Sequence, residues 1–263
     1  MPEFIDYRLE DHVGIITLNR PEVMNALNRQ MYAELEQAFR DANKDPEVRC
    51  VLLTGNGRSF CSGDDVKQIM LGEQRDETVT RLRDSKPKPT PAAAAALECD
   101  KPVICAVNGA AVGWGMDLTL FADIRIASEA AKFGELFIKR GLVADLGGLW
   151  RLPRVVGPSK AAELLFTGDI ISAQEAERIG LVSKVVPPAE LLDTGMEMAR
   201  KIAANPPIAL RYMKEGLRRS VHASMAEMGE YVGNSLAYLF TTEDHHEGAM
   251  SFVERREPVF KGK

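Results

Sequence analysis

Two glycine-punctuated turns hold the residues best placed for chemistry. The first is Gly55-Asn56-Gly57-Arg58-Ser59-Phe60-Cys61-Ser62-Gly63-Asp64-Asp65-Val66, and the second is Asn108-Gly109-Ala110-Ala111-Val112-Gly113-Trp114-Gly115-Met116-Asp117. Each follows a short β-branched run that reads as a buried strand, Val48 to Thr54 and Val103 to Val107, and each leads into a helical pattern. A strand, a glycine turn and a helix in that order aim backbone N–H groups at whatever sits beside the helix start, where the helix dipole adds positive potential. Two such turns can point two donors at one oxygen. The chemistry served is stabilisation of an oxyanion such as a thioester enolate.

Holding the turns in place requires a sheet. Phe4 to Leu9 and Val13 to Leu18 read as a hairpin closed near Asp11-His12, and Asn28 is placed to cap an amphipathic helix that runs to about Asn43, with Met31, Leu35 and Phe39 on one face. Val48 to Thr54, Val103 to Val107 and Ile124 to Ala127 are continuous apolar or β-branched runs, the pattern of strands covered on both faces. Strands separated by helices imply right-handed crossovers and a largely parallel sheet. Residues 71–101 break the rhythm: Gly72 to Asp84 is charged, Lys86-Pro87-Lys88-Pro89-Thr90-Pro91 is incompatible with regular helix, and Ala92 to Ala96 restarts one. This stretch reads either as a surface excursion or as a mobile wall over a substrate pocket.

From Gly157 onward the pattern turns helical. Pro158 suits a first helical position, Ser172-x-x-Glu175 has the form of a capping box, Asn205-Pro206-Pro207 separates two helices, and Thr241-x-x-Asp244 resembles another cap. Val182 to Val186 is one last strand candidate. The expected organisation is an α/β core over residues 1–195 followed by a helical region over 196–263.

Composition narrows the function. At 263 residues, 45% hydrophobic and 27% charged, the chain suits a globular enzyme with one substantial core. A net charge of −5 argues against nucleic acid as a partner, since that binding neutralises phosphates with cations. No long apolar stretch or leader pattern is evident, so no membrane partner and a cytoplasmic location are expected. Cys50, Cys61, Cys99 and Cys105 lack close-paired spacing and read as buried thiols, while His12, His222, His245 and His246 form no metal-binding pattern. A metal site is not expected, and His245-His246 reads as a solvated surface pair.

The ordered run of motifs resembles the crotonase, or enoyl-CoA hydratase/isomerase, superfamily along essentially the whole chain. The resemblance is carried by Leu18-Asn19-Arg20-Pro21 with Asn25-Ala26-Leu27, Ser59 to Asp65, Lys101 to Gly109, Ala122 to Ala127, Leu164 to Gly168 and Ala173 to Val182. It implies a spiral of ββα turns, a C-terminal helical region used for trimerisation and often a dimer of trimers. It also implies acyl-CoA thioester substrates, coenzyme A entering as part of the substrate, and no bound cofactor. By position, the oxyanion donors would be the backbone N–H groups of Asp64 and Trp114. Backbone around Met24 to Ala26 and Ser62 to Lys67, including Asp65 and Val66, would contact the CoA moiety. Phe260 and Lys263 would approach its phosphates across a subunit boundary. Trp114 departs from the family's usual glycine, and its side chain either narrows the pocket or packs on the sheet.

The same resemblance locates the acids. Hydratases of the family use two glutamates; the first position here is Asp117, and the second, twenty residues later, is Phe137. Phenylalanine transfers no proton, so the hydratase dyad is broken and that part of the substrate pocket becomes apolar. Glu135 lies two positions earlier, about 200° away if the segment is helical, and is expected to face elsewhere, on the surface. A different acid stands in Gly141-Leu142-Val143-Ala144-Asp145, a run that looks most like dienoyl-CoA isomerases and ring-modifying isomerases. Asp145 is therefore expected as the principal base, with Asp117 sharing the work. A capping role is the alternative for Asp145, and a contact to nearby backbone is the alternative for Asp117. Asp65 reads mostly as a turn stabiliser, and Asp123 as structural, paired with Arg125 or nearby backbone. The favoured reaction is double-bond isomerisation through an enolate, in fatty-acid or aromatic/alicyclic acid breakdown. The alternatives are a hydratase using Asp117 and Asp145, a CoA-dependent ring hydrolase or lyase, and a non-catalytic acyl-CoA-binding protein.

Overall fold

The computed structural model describes residues 2–72, 76 and 89–263. Its organising element is a repeated strand pair. Strands β3 (Cys50–Gly55), β5 (Val103–Val107) and β7 (Ile124–Ser128) lie in one sheet, and each is followed at once by a short strand of a second sheet, β4 (Ser59–Cys61), β6 (Ala110–Val112) and β8 (Lys132–Gly134). The first sheet is completed by β1 (Ile5–Glu10), β2 (Val13–Leu18) and β10 (Lys184–Val186), in the order β1-β2-β3-β5-β7-β10; the second by β9 (Ile171–Ser172), in the order β4-β6-β8-β9. All pairings are parallel except the β1–β2 hairpin and β8–β9.

Burial follows from this layering. Every residue of β5 is buried, as its unbroken apolar run requires. Helix Trp114–Phe121 is buried on all sides and lies in the main core with β3, β5 and β6 residues. A second apolar cluster joins the opposite face of the large sheet to helix Leu191–Ala203, where Leu191, Met196 and Ala199 meet Ile15, Leu52 and Ile104. The boundary expected after residue 195 thus falls inside a helix that packs on the sheet. Helices Pro207–Ser220, Met225–Leu239 and Glu243–Glu254 follow it and leave Met213, Leu217, Met225 and Phe252 largely exposed.

Local expectations meet mixed outcomes. Asn28 caps helix Arg29–Lys44, its Oδ1 accepting the Met31 N–H at 2.8 Å. Ser172 accepts the Glu175 N–H at 3.2 Å, whereas Glu175 turns to Arg178 instead of completing the capping box. The last long helix is capped by Thr242, not Thr241, because the Thr242 hydroxyl is the one that reaches the His245 N–H. Asp123 is structural, but its partners are the Val103 N–H at 2.8 Å and Lys214 at 2.7 Å; Arg125 donates to the carbonyls of Leu181, Thr119 and Ala122. All four cysteines are buried and free, and His245 and His246 are exposed. Lys86 to Lys88 and most of the charged stretch before them lie outside the described residues; beyond them, helix Pro91–Glu98 packs on helix Arg29–Lys44.

One buried side chain ties the site's scaffold together. Asn25, fully buried, places its amide nitrogen within 3.0 Å of the carbonyls of Asn56, Ser59 and Phe60, and its Oδ1 accepts the Arg20 N–H at 2.8 Å. Asn25→Ala strands those buried backbone groups and places alanine at a φ of 54°, a left-handed conformation that asparagine tolerates better. We expect a loss of about 2–3 kcal/mol in urea unfolding, from at least one unpaired buried group plus backbone strain. A change below about 0.5 kcal/mol, the range of ordinary surface substitutions, would contradict this assignment.

Candidate active site

The Asn25 anchor brings two chain segments side by side. The Leu27 N–H donates to the Gly63 carbonyl at 2.8 Å, the Asp65 N–H to the Leu27 carbonyl at 2.8 Å, and the Ser62 N–H to the Met24 carbonyl at 3.1 Å. Residues 24–27 and 62–65 therefore form one short ladder, juxtaposing Met24, Ala26, Ser62 and Asp65. Asp65 is fully engaged there: one carboxylate oxygen accepts the Gln68 N–H at 3.2 Å and the other meets Arg20 at 3.0 Å. Val66 and Lys67 continue from it in a helical turn and are exposed. The expected tail residues lie elsewhere. Arg49 donates to the Phe260 carbonyl at 3.0 Å, and Asp244 accepts the N–H groups of Lys261 and Gly262, so this end is pinned, not a solvated tail. Lys263 closes it with its carbonyl facing the Asp244 N–H at 3.3 Å.

The two glycine turns touch. A Cβ placed on Gly63 would lie 3.0 Å from the Val112 carbonyl oxygen and 3.3 Å from the Trp114 nitrogen, an approach that glycine permits. Trp114 is the first residue of its helix, so its N–H is among those with no intrahelical acceptor. The Asp64 N–H is bypassed by the ladder, which uses residues 63 and 65. Among the described residues neither amide donates to a protein group.

Beside these amides is a narrow cleft of about 30 Å³ lined by Ser62, Gly63, Asp64, Val66, Met70, Gly113, Trp114, Leu136, Phe137 and Arg140. Phe137 is on its wall and also packs against the core. Trp114 does both things considered for it: its ring is buried, edge-on to Tyr32 at 4.8 Å and to Phe121 at 6.0 Å, and it forms part of the cleft wall. The indole also has a partner not anticipated from the sequence. Its Nε1–H donates to Asp145 Oδ2 at 3.2 Å, while Asp145 Oδ1 accepts the Leu146 N–H at 2.7 Å. Asp145 thus has the local contact of a turn-capping residue and a long-range contact to the cleft wall at once. On the other side of Trp114, the Tyr32 hydroxyl donates to Asp64 Oδ1 at 2.6 Å.

Behind the wall lies a cluster of acids. Asp117 is fully buried, and Gly147 packs directly against its carboxyl group. Glu135 is fully buried too, correcting the expectation of a surface position. The helical angle does not apply, because Glu135 sits at the end of β8, before the 3-10 turn Leu136–Arg140 begins. A Cβ on Gly148 would come 3.0 Å from its carboxyl carbon. The Asp117 and Glu135 carboxyl groups neighbour each other, and the backbone N–H groups of Asp145 and Gly148 face Asp117. Burial, then Glu135 and Asp145, push the Asp117 carboxyl well above the usual carboxylate range. Burial and then Asp145 push Glu135 up to about 8. Asp64 is raised by burial and by Asp145, against the lowering effect of the Tyr32 hydrogen bond.

Glu135 gives the fold a definite pH dependence. Its acidity in the unfolded chain is ordinary and in the folded chain is shifted to about 8, so the folded state holds a proton that the unfolded state releases. The stabilisation is complete below the unfolded value of about 4.5 and is lost as pH rises through about 8. Thermal melts should fall across that window, and Glu135→Gln should flatten the fall. Parallel curves for the two proteins would rule this out.

The chain is similar to known proteins along nearly its whole length. The enoyl-CoA hydratase/isomerase family profile matches residues 8–263. The chain is 36% identical, over 100% of both chains, to 1,2-epoxyphenylacetyl-CoA isomerase of Escherichia coli strain K12. It is 38% identical to (E)-benzylidenesuccinyl-CoA hydratase of Thauera aromatica, covering 98% of this chain and 99% of that one. The crystal structure of an enoyl-CoA hydratase from Bacillus anthracis superposes with a TM-score of 0.92 at 34% identity, over 99% of this chain and 100% of that one.

Proposed function

The chain belongs to the enoyl-CoA hydratase/isomerase family, and on that premise we propose that it moves a double bond in an acyl-CoA thioester through an enolate, with Asp145 as the principal base. The observation that supports this reading is Trp114: it lines the cleft together with Asp64, its amide has no acceptor among the described residues, and its indole N–H donates to Asp145. One residue therefore links an oxyanion donor to a base. In the reaction the thioester carbonyl accepts hydrogen bonds from the two amides, and Asp145 takes the proton from the adjacent carbon. The charge that develops on the carbonyl oxygen meets donors already in position, each worth roughly 3–4 kcal/mol in other oxyanion holes.

Isomerisation is favoured over hydration because the remaining reachable wall is apolar at Phe137. Adding water needs a positioned water as well as a proton donor. Asp117 and Glu135 are sealed beneath Gly147 and Gly148, where Asp117 acts through the Asp145 segment and touches no substrate. The ladder of residues 24–27 and 62–65 is the proposed CoA contact, with coenzyme A arriving as part of the substrate. Exposed Met213, Leu217, Met225 and Phe252 support assembly into trimers or a dimer of trimers. Such assembly is the proposed setting in which Phe260 and Lys263 approach CoA. Among the described residues no helix is long and apolar enough to cross a membrane.

The test is incubation with linear, dienoyl and cyclic enoyl-CoAs in heavy water, with products identified by mass. Deuterium from solvent in a product with a shifted double bond and no added water is the expected result. Net water addition would favour hydration, C–C or thioester cleavage a lyase or hydrolase, and CoA binding without any exchange a binding protein; each would overturn the isomerase reading.

A further inference from the structure

We propose that the Asp64 side chain is the second proton-transfer group of this site, delivering to the γ-carbon the counterpart of the proton that Asp145 removes at the α-carbon; this rests on the enolate reading above. Moving a double bond over that span needs a proton lost at one carbon and gained two carbons away. Four carboxyl groups surround the cleft, but they are not equally accessible. Asp117 and Glu135 are buried under Gly147 and Gly148, and Asp145, held by the Trp114 indole and the Leu146 N–H, is already assigned to the α-carbon. Among the residues that line the cleft, Asp64 is the acidic one.

The surroundings of Asp64 suit an acid. The Tyr32 hydroxyl anchors Oδ1 at 2.6 Å, leaving Oδ2 for the proton. Trp114 links this pair to Asp145: its ring packs edge-on to Tyr32 at 4.8 Å, and its indole N–H donates to Asp145 Oδ2 at 3.2 Å. An ionised Asp64 next to an amide that binds an enolate would oppose the developing charge. A protonated one removes that penalty, and burial together with Asp145 raises Asp64 in that direction. Tyr32 is itself pushed well above its ordinary value, by burial first and then by Asp64, so it stays a donor. The other charged or titratable groups facing this region are Arg140 on the cleft wall and the buried Cys61.

The step balances without any further reactant. The α-carbon–hydrogen bond breaks to Asp145, and its electron pair becomes the carbon–carbon double bond of a dienolate whose charge rests on the thioester oxygen. On collapse the carbonyl re-forms, the double bond settles between the α- and β-carbons, and the former β–γ pair takes the Asp64 proton. Asp64 ends ionised and Asp145 protonated, and exchange with solvent through the cleft mouth restores both.

The experiment uses the full-length protein and a linear β,γ-unsaturated acyl-CoA in heavy water, reading α-deuterium uptake and conjugated product separately. In Asp64→Asn the ratio of migration to exchange should fall about 100-fold, within the range of general acid catalysis. Asp145→Asn should lose both readouts. Tyr32→Phe removes a hydrogen bond that lowers the Asp64 pKa, so the alkaline limb of its migration rate should move to higher pH. If Asp64→Asn fails to fold, the Tyr32→Phe profile decides the matter. An unchanged ratio in Asp64→Asn, or an unmoved alkaline limb in Tyr32→Phe, overturns the proposal. Wild-type protein that binds the thioester yet shows neither readout overturns the enolate reading instead, and the two failures are told apart by that arm.

Discussion

Asp145→Asn is expected to lower turnover by about 10²- to 10⁴-fold, the usual worth of a positioned general base, while acyl-CoA binding persists. The substitution keeps the size of the side chain and an oxygen able to accept from the Trp114 indole or the Leu146 N–H. The loss is therefore proton affinity, not architecture. Turnover measured beside a direct binding assay separates the two effects, because a mutation that removes an interaction made only in the transition state lowers kcat and kcat/KM together. Thermal stability should change little. Unchanged turnover would remove Asp145 from the chemistry and leave it a turn-capping residue.

Phe137→Glu is expected to create or raise water addition to enoyl-CoAs. Phe137 borders the cleft and packs against the core, and a carboxylate there would add a proton acceptor where the wall is now apolar. Supplying one general base is worth about 10²–10⁴-fold, so hydration should rise by at least about 10²-fold over the native protein. Phe137→Gln, polar but unable to move a proton, should not show the gain. Some stability will be lost, since a carboxyl group replaces apolar packing against the core. A flat result for Phe137→Glu across linear and cyclic enoyl-CoAs would count against Phe137 as the element that suppresses hydration.

How much of this was legible in the sequence depended on range. β3, β5 and β7 could be read because strands covered on both faces need unbroken apolar runs, and Asn28 because a cap acts within three residues. The second sheet went unread. Its strands β4, β6 and β8 have three residues each, too few to show a period, and they sit among glycines that signal turns. The juxtaposition of the two glycine turns followed from motif order. The contacts that give the site its character did not. Tyr32 with Asp64, and Trp114 with Asp145, join residues about thirty apart whose types alone announce no pairing. Helical periodicity misplaces Glu135, which stands between strand β8 and the 3-10 turn that begins at Leu136. Asp123 was placed correctly as structural, but its lysine partner lies on a helix ninety-one positions on, beyond any local rule.

The most direct test is a crystal structure of the protein with a CoA thioester bound. The thioester carbonyl oxygen should lie about 2.7–3.1 Å from the backbone nitrogens of both Asp64 and Trp114, with the Asp145 carboxylate beside the α-carbon. A carbonyl oxygen bonded to neither amide, or an acyl chain seated outside the cleft that Trp114 and Phe137 border, would contradict the account.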